Sequence, residues 1–265
     1  MRNIAAANAG SAGSPPRPDP EFVTDSADPQ PAGLSNLILR VISSAVLAPI
    51  AILIAWLGGV PFVVFWTIAA SIVLWEWSAL VKNSRAGTRS LGWFAGWMVG
   101  GLVYAGVLLL CPIILRRDPA YGLVAILFLF AIVWATDIAA YFTGRAFGGP
   151  KLWPAVSPKK TWSGALGGTV GGVVAGLLVV KLAGLVVAPM LVFVAIVLSI
   201  VAQAGDLLES AIKRHFGAKD ASQLIPGHGG LMDRLDGFLT AVAAAVMVGL
   251  LRGGLEGSAR GLLVW

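Results

Sequence analysis

The sequence predicts an all-α fold: a polytopic bundle of about seven or more transmembrane helices with a polar cleft open to the cytoplasm. Composition is the first observation behind this. Of 265 residues, 57% are hydrophobic and 12% charged, and the mean hydropathy is +0.84; a soluble domain averages roughly 25% charged residues. The second is run length. Seven apolar runs approach the roughly 20 residues that cross a hydrocarbon core, at 37–57, 60–80, 91–111, 121–142, 162–181, 185–205 and 235–251. The third is the placement of charge, which gathers in the stretches between runs.

The elements follow in order. Residues 1–33, rich in Ala, Pro, Ser, Asp and Gly, read as a disordered cytoplasmic tail with too little apolar surface to offset the entropy of ordering. No basic stretch followed by an apolar one precedes a cleavage site there, so the tail is not a secretory leader. Residues 34–265 then form one integral membrane domain. Its first two runs meet at Gly58-Gly59, which reads as a tight helical hairpin. The last run is short, and a tilted or half-buried helix near 206–220 would add to the count.

Loop charge supplies an orientation. With the tail in the cytoplasm, the cytoplasmic loops are 82–90, 143–161 and 206–234. They hold Lys82, Arg85, Arg89, Arg145, Lys151, Lys159, Lys160, Lys213, Arg214, Lys219 and Arg234, eleven basic residues against five opposite (Arg116, Arg117, Lys181, Arg252 and Arg260). This positive-inside bias fits a multi-pass protein of the cell (plasma) membrane. The net charge of +6 thereby belongs to orientation and anionic head groups, not to nucleic acid. One cysteine, Cys111, excludes an intrachain disulfide and a zinc–cysteine cluster. Two histidines, His215 and His228, are too few for a histidine-rich metal site.

The stretch 203–237 concentrates the chemistry. It gathers Asp206, Glu209, Lys213, Arg214, Lys219, Asp220, Asp233, Arg234 and Asp236 around the turn Pro226-Gly227-His228-Gly229-Gly230. Ionisable groups beside a bilayer are costly and mark function by default. Gln203, Asp206, Ser210 and Lys213 recur at intervals of three, four and three, one stripe of a helix. Asp137, Tyr141 and Arg145 repeat every four residues, and Asp233 and Asp236 open the last run. Three helix ends thus aim carboxylates at one place, where carboxylates mixed with Lys, Arg and Gly suit a divalent cation and phosphates.

Ser210-x-x-Lys213-Arg214-x(4)-Lys219-Asp220, then Pro226-x-His228-Gly229-Gly230-x-x-Asp233-Arg234-x-Asp236, resembles the signature of the phosphatidate cytidylyltransferases, or CDP-diacylglycerol synthases. The stretches 137–148 and 157–164 belong to the same likeness, which covers roughly 130–251. The resemblance implies transfer of a cytidylyl group from CTP to phosphatidic acid in a membrane, releasing pyrophosphate. It matches Asp206 and Asp233 to the family's metal-binding aspartates, with Asp236 or Asp137 completing a Mg²⁺ site and leaving scope for a second, monovalent or divalent, cation.

The residues suit that chemistry on their own account. Two anionic partners must approach, so cations have to offset their repulsion, and Mg²⁺ takes a few carboxylates plus waters and phosphate oxygens. Lys213, Arg214, Lys219 and Arg234 are expected at the triphosphate, with Lys213 counted among the catalytic groups beside Asp206, Asp233 and Asp236. Lys159, Lys160 and Arg145 are candidate seats for the lipid phosphate. Ser157, Thr161 and Ser210 can donate to phosphate oxygens, and His228 within its glycine turn is a phosphate contact. A homodimer is compatible with such a chain.

Blander readings stand beside these. Lys82, Arg85, Arg89, Arg116 and Arg117 read as topology determinants; Asp137 pairs with Arg145 or acts in the site; Glu209 pairs with Lys213; Glu76, between Trp75 and Trp77, reads as part of an interfacial belt. Gly167-Gly168 and Gly171-Gly172 mark close helix packing. A CTP-dependent polyprenol or phytol kinase is the nearest competing activity. A CDP-alcohol phosphatidyltransferase is disfavoured because Asp236-Gly237 lacks its continuation, and a secondary transporter because the charges gather at one face without an inverted repeat.

Overall fold

The computed structural model describes residues 34–84, 90–222, 224 and 229–265, with side-chain packing from residue 45 onward. Along these the order is α1 (Leu34–Leu57), α2 (Gly59–Asn83), α3 (Leu91–Arg116), α4 (Gly122–Phe147), β1 (Lys151–Trp153), β2 (Ser157–Thr161), α5 (Trp162–Leu182), α6 (Pro189–His215), α7 (Met232–Gly253) and α8 (Ser258–Leu263). Helices α2 to α7 are each long and apolar enough to cross a membrane. Helix α1 has the length, at 24 residues, and its described half, Ala45–Leu57, is apolar. Each of the seven expected runs coincides with one of α1–α7. The tail assigned to 1–33 lies outside the described residues.

Two details differ from expectation. The stretch 206–220 adds no separate helix, because α6 runs unbroken to His215. The loop at 143–161 contains a ribbon, β1 pairing antiparallel with β2 through Lys151 opposite Thr161 and Trp153 opposite Ser157. Thr161 ends the ribbon and caps α5, its hydroxyl accepting the Gly164 N–H at 3.1 Å.

Local chemistry sets the other junctions. Gly58 and Gly59 take left-handed backbones, φ 62° and 53°, which let α1 turn directly into α2. Arg116 is more than a topology charge. Its guanidinium donates to Ala55 O at 2.7 Å and Trp56 O at 3.3 Å, satisfying carbonyls that α1 leaves unpaired at its C-terminus. Asp118 accepts from the N–H groups of Ala120 and Tyr121, both at 3.0 Å, and of Arg260 at 3.1 Å, tying the start of α4 to α8.

Helices α4 and α5 share the most extensive contact in the bundle. Gly164, Gly168, Gly172 and Gly176 form a buried stripe on α5. A Cβ at Gly168 would stand 2.8 Å from Thr136 O, and one at Gly172 2.9 Å from Ile132 O. The glycines therefore mark close helix packing, and the opposite stripe, Leu166, Val170, Val174 and Leu178, is exposed as a lipid-facing surface is. Trp66 of α2 stacks on Phe238 of α7, ring centroids 5.1 Å apart, and Phe130 of α4 meets Phe238 at 5.3 Å. The up-and-down course brings the C-termini of α2, α4 and α6 and the N-termini of α3, α5 and α7 to one end. The ribbon sits at that end too.

Candidate active site

Charge converges at this end of the bundle. Strand β2 carries Lys160 to α6, where its ammonium forms an ion pair with Asp206. Asp206 also accepts a long 3.5 Å hydrogen bond from Ser210, one turn further on. Asp236 on α7 lies in the field of Asp206 and Asp137, with Lys160 as counter-charge. Asp137 on α4 likewise feels Asp206, Lys160 and Arg234. Four elements thus bring three carboxylates into one electrostatic neighbourhood.

A second group adjoins it. Lys213 stands 2.7 Å from Glu209 Oε2 and 2.5 Å from Asp233 Oδ1. Glu209 is buried, and beyond that ion pair neither of its oxygens has a hydrogen-bond partner among the described residues. Asp233 accepts three N–H donors: Gly230 N at 2.7 Å, Ala221 N at 3.1 Å and the Lys213 ammonium. Lys213 therefore commits two of its three donors to carboxylates. Tyr104 of α3 lies in the field of Asp206, Glu209, Asp233 and Asp236, and its buried hydroxyl has no hydrogen-bond partner among the described residues.

The remaining expected residues are distributed as follows. Ser157 is half-buried and Lys159 exposed on β2; Arg234 is exposed at the start of α7 and Lys219 just beyond α6. Arg214 donates to Ala218 O at 3.0 Å, closing the C-terminus of α6. Arg145 donates to Tyr141 at 3.3 Å, so that bond replaces the Asp137 pairing. Gln203 leaves the stripe, its amide bonding Thr169 of α5 at 3.1 Å. His228, with Pro226 and Gly227, lies outside the described residues.

One residue was misread from sequence. Glu76 of α2 is fully buried, not part of an interfacial belt. It accepts the Ser222 hydroxyl at 2.5 Å and the N–H groups of Leu231 and Met232 at 2.9 and 2.7 Å. The signal lay in its place. Seven residues from the end of α2 it is about 10 Å along the helix axis, a depth at which a carboxylate needs partners. The aromatic neighbours Trp75 and Trp77 concealed this, whereas for Tyr104 nothing in the sequence distinguished it from a packing aromatic.

The donor set fits a hard cation. Asp137, Asp206 and Asp236 offer oxygen ligands, and an ammonium already stands on Asp206. Among the described residues no three His, Cys, Asp or Glu side chains enclose a metal position. Mg²⁺ is commonly held by one or two carboxylates together with substrate phosphates and waters.

Comparison with known proteins bears on the family of the chain. A sequence model described as the Cytidylyltransferase family matches residues 90–251. The chain belongs to the cytidylyltransferase family. The match starts at residue 90, well before the roughly 130 expected from the motifs, so it takes in Tyr104 with every described site residue from Asp137 to Asp236. A protein of Brucella suis biovar 1 named phosphatidate cytidylyltransferase is 41% identical over 257 residues, covering 82% of this chain and 94% of its own. Proteins with the same name from Bacillus subtilis (37% over 171 residues, 64% of this chain and 62% of theirs) and Haemophilus influenzae (45% over 143 residues, 52% and 50%) are also similar.

Proposed function

We infer that this member of the cytidylyltransferase family is a phosphatidate cytidylyltransferase: a nucleotidyltransferase that moves a cytidylyl group from CTP to phosphatidic acid, giving CDP-diacylglycerol and pyrophosphate in phospholipid biosynthesis. The observation that carries the reading is the ion pair of Lys160 on the ribbon with Asp206 on α6, with Asp137 and Asp236 of two further helices in the same electrostatic neighbourhood, at one end of an apolar bundle. The relatives' shared name favours this activity over a CTP-dependent lipid kinase.

An oxygen of the lipid phosphate attacks the α-phosphorus of CTP in line; the bond from that phosphorus to the bridging oxygen breaks, and pyrophosphate leaves. The lipid phosphate is already ionised at neutral pH, so no protein nucleophile is required. Asp206, Asp236 and Asp137, with Asp233 beside them, are the residues to hold Mg²⁺, whose charge offsets repulsion between two anionic reactants. These carboxylates and Glu209 outnumber Lys160, Lys213 and Arg234 around them, so a second, monovalent or divalent, cation belongs to the same reading. Lys160 and Lys159 on the ribbon, with Arg145, seat the lipid phosphate; Arg214, Lys219 and Arg234, with Ser157 and Ser210, hold the triphosphate and orient the leaving group. His228 joins them by sequence motif.

The polar cleft opens sideways to lipid, so phosphatidate keeps its acyl chains in the membrane while CTP enters from water. The eleven-to-five excess of basic residues supports an orientation with that end facing the cytoplasm, and the membrane in this reading is the plasma membrane. A homodimer belongs to the same reading, and native mass in nanodiscs checks it. The central test supplies purified protein with phosphatidate, Mg²⁺ and each of the four NTPs in turn. CTP alone should yield pyrophosphate and a CDP-lipid. Release of CDP with a phosphorylated alcohol would make the protein a kinase instead.

A further inference from the structure

Glu76 lies outside the matched family region, 90–251, and takes no part in the chemistry above. Yet its carboxylate bridges α2 and the signature stretch more than 140 residues away. Leu231 and Met232 stand at the start of α7, where backbone N–H groups lack helical acceptors and the helix dipole favours a negative charge. Glu76 takes both N–H groups, capping α7 from another helix. It also accepts from Ser222, on the other side of the signature's glycine turn in sequence.

Asp233 works in parallel. It accepts from Ala221 and Gly230, the immediate neighbours of Ser222 and Leu231. Two carboxylates thus hold together the same two flanks, residues 221–222 and 230–232. They also account for the glycine pair between them. A Cβ on Gly230 would stand 2.6 Å from Glu76 Oε1, and one on Gly229 2.7 Å from Asp233 Oδ2, too close for any side chain to fit without displacing a buried carboxylate. A carboxylate sunk in an apolar helix is costly, and three donors on one group are what offset that cost.

We propose that Glu76 is a positioning residue for the cytidylyl-transfer site: by fixing the first turn of α7 against residue 222, it sets Asp233 and Asp236 where they act. The activity arm of its test rests on the function proposed above; the structural arm does not. Glu76→Gln keeps the shape but turns an amide toward N–H donors that need an acceptor. In nanodiscs the variant should insert and fold, and kcat per folded molecule should fall about tenfold to a hundredfold, as for other outer-shell supports. KM for phosphatidate should change little, and more Mg²⁺ should be needed for half-maximal rate. Amide hydrogen exchange over 229–233 should speed up.

Val73→Ala, a buried change one turn away on α2, is the control: it should cost stability and leave kcat and that exchange unaltered. Should Glu76→Gln prevent folding, Ser222→Ala, which removes one donor only, carries the test with smaller changes in the same directions. Unchanged kcat per folded molecule, unchanged exchange at 229–233, or an equal kcat loss in Val73→Ala would each overturn the proposal. A wild-type protein inactive on phosphatidate would instead defeat the functional reading, and the exchange measurement would still decide Glu76.

Discussion

Replacing Lys213 by Met tests the innermost part of the site, where burial turns one missing charge into a large effect. The Lys213 side chain is 11% exposed and that of Glu209 1%, so water screens neither. In Lys213→Met, Asp233 keeps the Gly230 and Ala221 N–H groups, but Glu209 loses its counter-ion. Removing one partner of a buried pair costs about 3–5 kcal/mol. For a chain of this size that is a fall in melting temperature on the order of 10 °C. Adding Glu209→Gln removes the stranded charge, and the double variant should regain most of the lost stability, because replacing both partners is often near neutral. Activity should not return, since Asp233 still lacks its ammonium. Tryptophan-fluorescence melting in detergent gives the first quantity and pyrophosphate release the second. A single variant melting within about 2 °C of wild type, or a double variant no more stable than the single, would refute the assignment of Lys213 as the ion that neutralises this pocket.

Asp206→Asn and Asp236→Asn should each lower turnover by at least about a hundredfold while leaving melting almost unchanged; a purified variant with normal pyrophosphate release would remove that residue from the cation site. Chelation by EDTA should abolish turnover reversibly without altering helix content by circular dichroism. Gly168→Val should separate α4 from α5, because its side chain would meet Thr136 O; an overpacked contact costs about 1–3 kcal/mol or more, read as a lower melting temperature. Lys159→Ala, on the exposed face of β2, should raise KM for phosphatidate more than for CTP, and the reverse ranking would move Lys159 to the nucleotide.

The helices and the signature were legible without coordinates for physical reasons. A membrane demands long apolar runs whose backbone groups bond within the helix, so the seven runs could hardly have been anything else. The glycine stripe of α5 was likewise readable as packing. The carboxylates of 203–237 stood out because charge near lipid needs a purpose. Pairing was not legible. Helical spacing put Gln203 in line with Asp206, but a hydroxyl on α5 took it, and Arg145 turned to Tyr141 rather than Asp137. Which polar group meets which depends on how helices rotate and cross, and that is set by side chains far from the site.

By itself, then, the amino-acid order determined the class of protein, the end of the bundle that carries charge, and the family, since each follows from hydrophobic run length or from a contiguous motif. Tertiary structure alone decided that Lys160 reaches Asp206 from a ribbon and that Glu76 braces α7. Those contacts join residues distant in the chain, and a buried carboxylate chooses its partners from whatever donors the packed helices bring within reach.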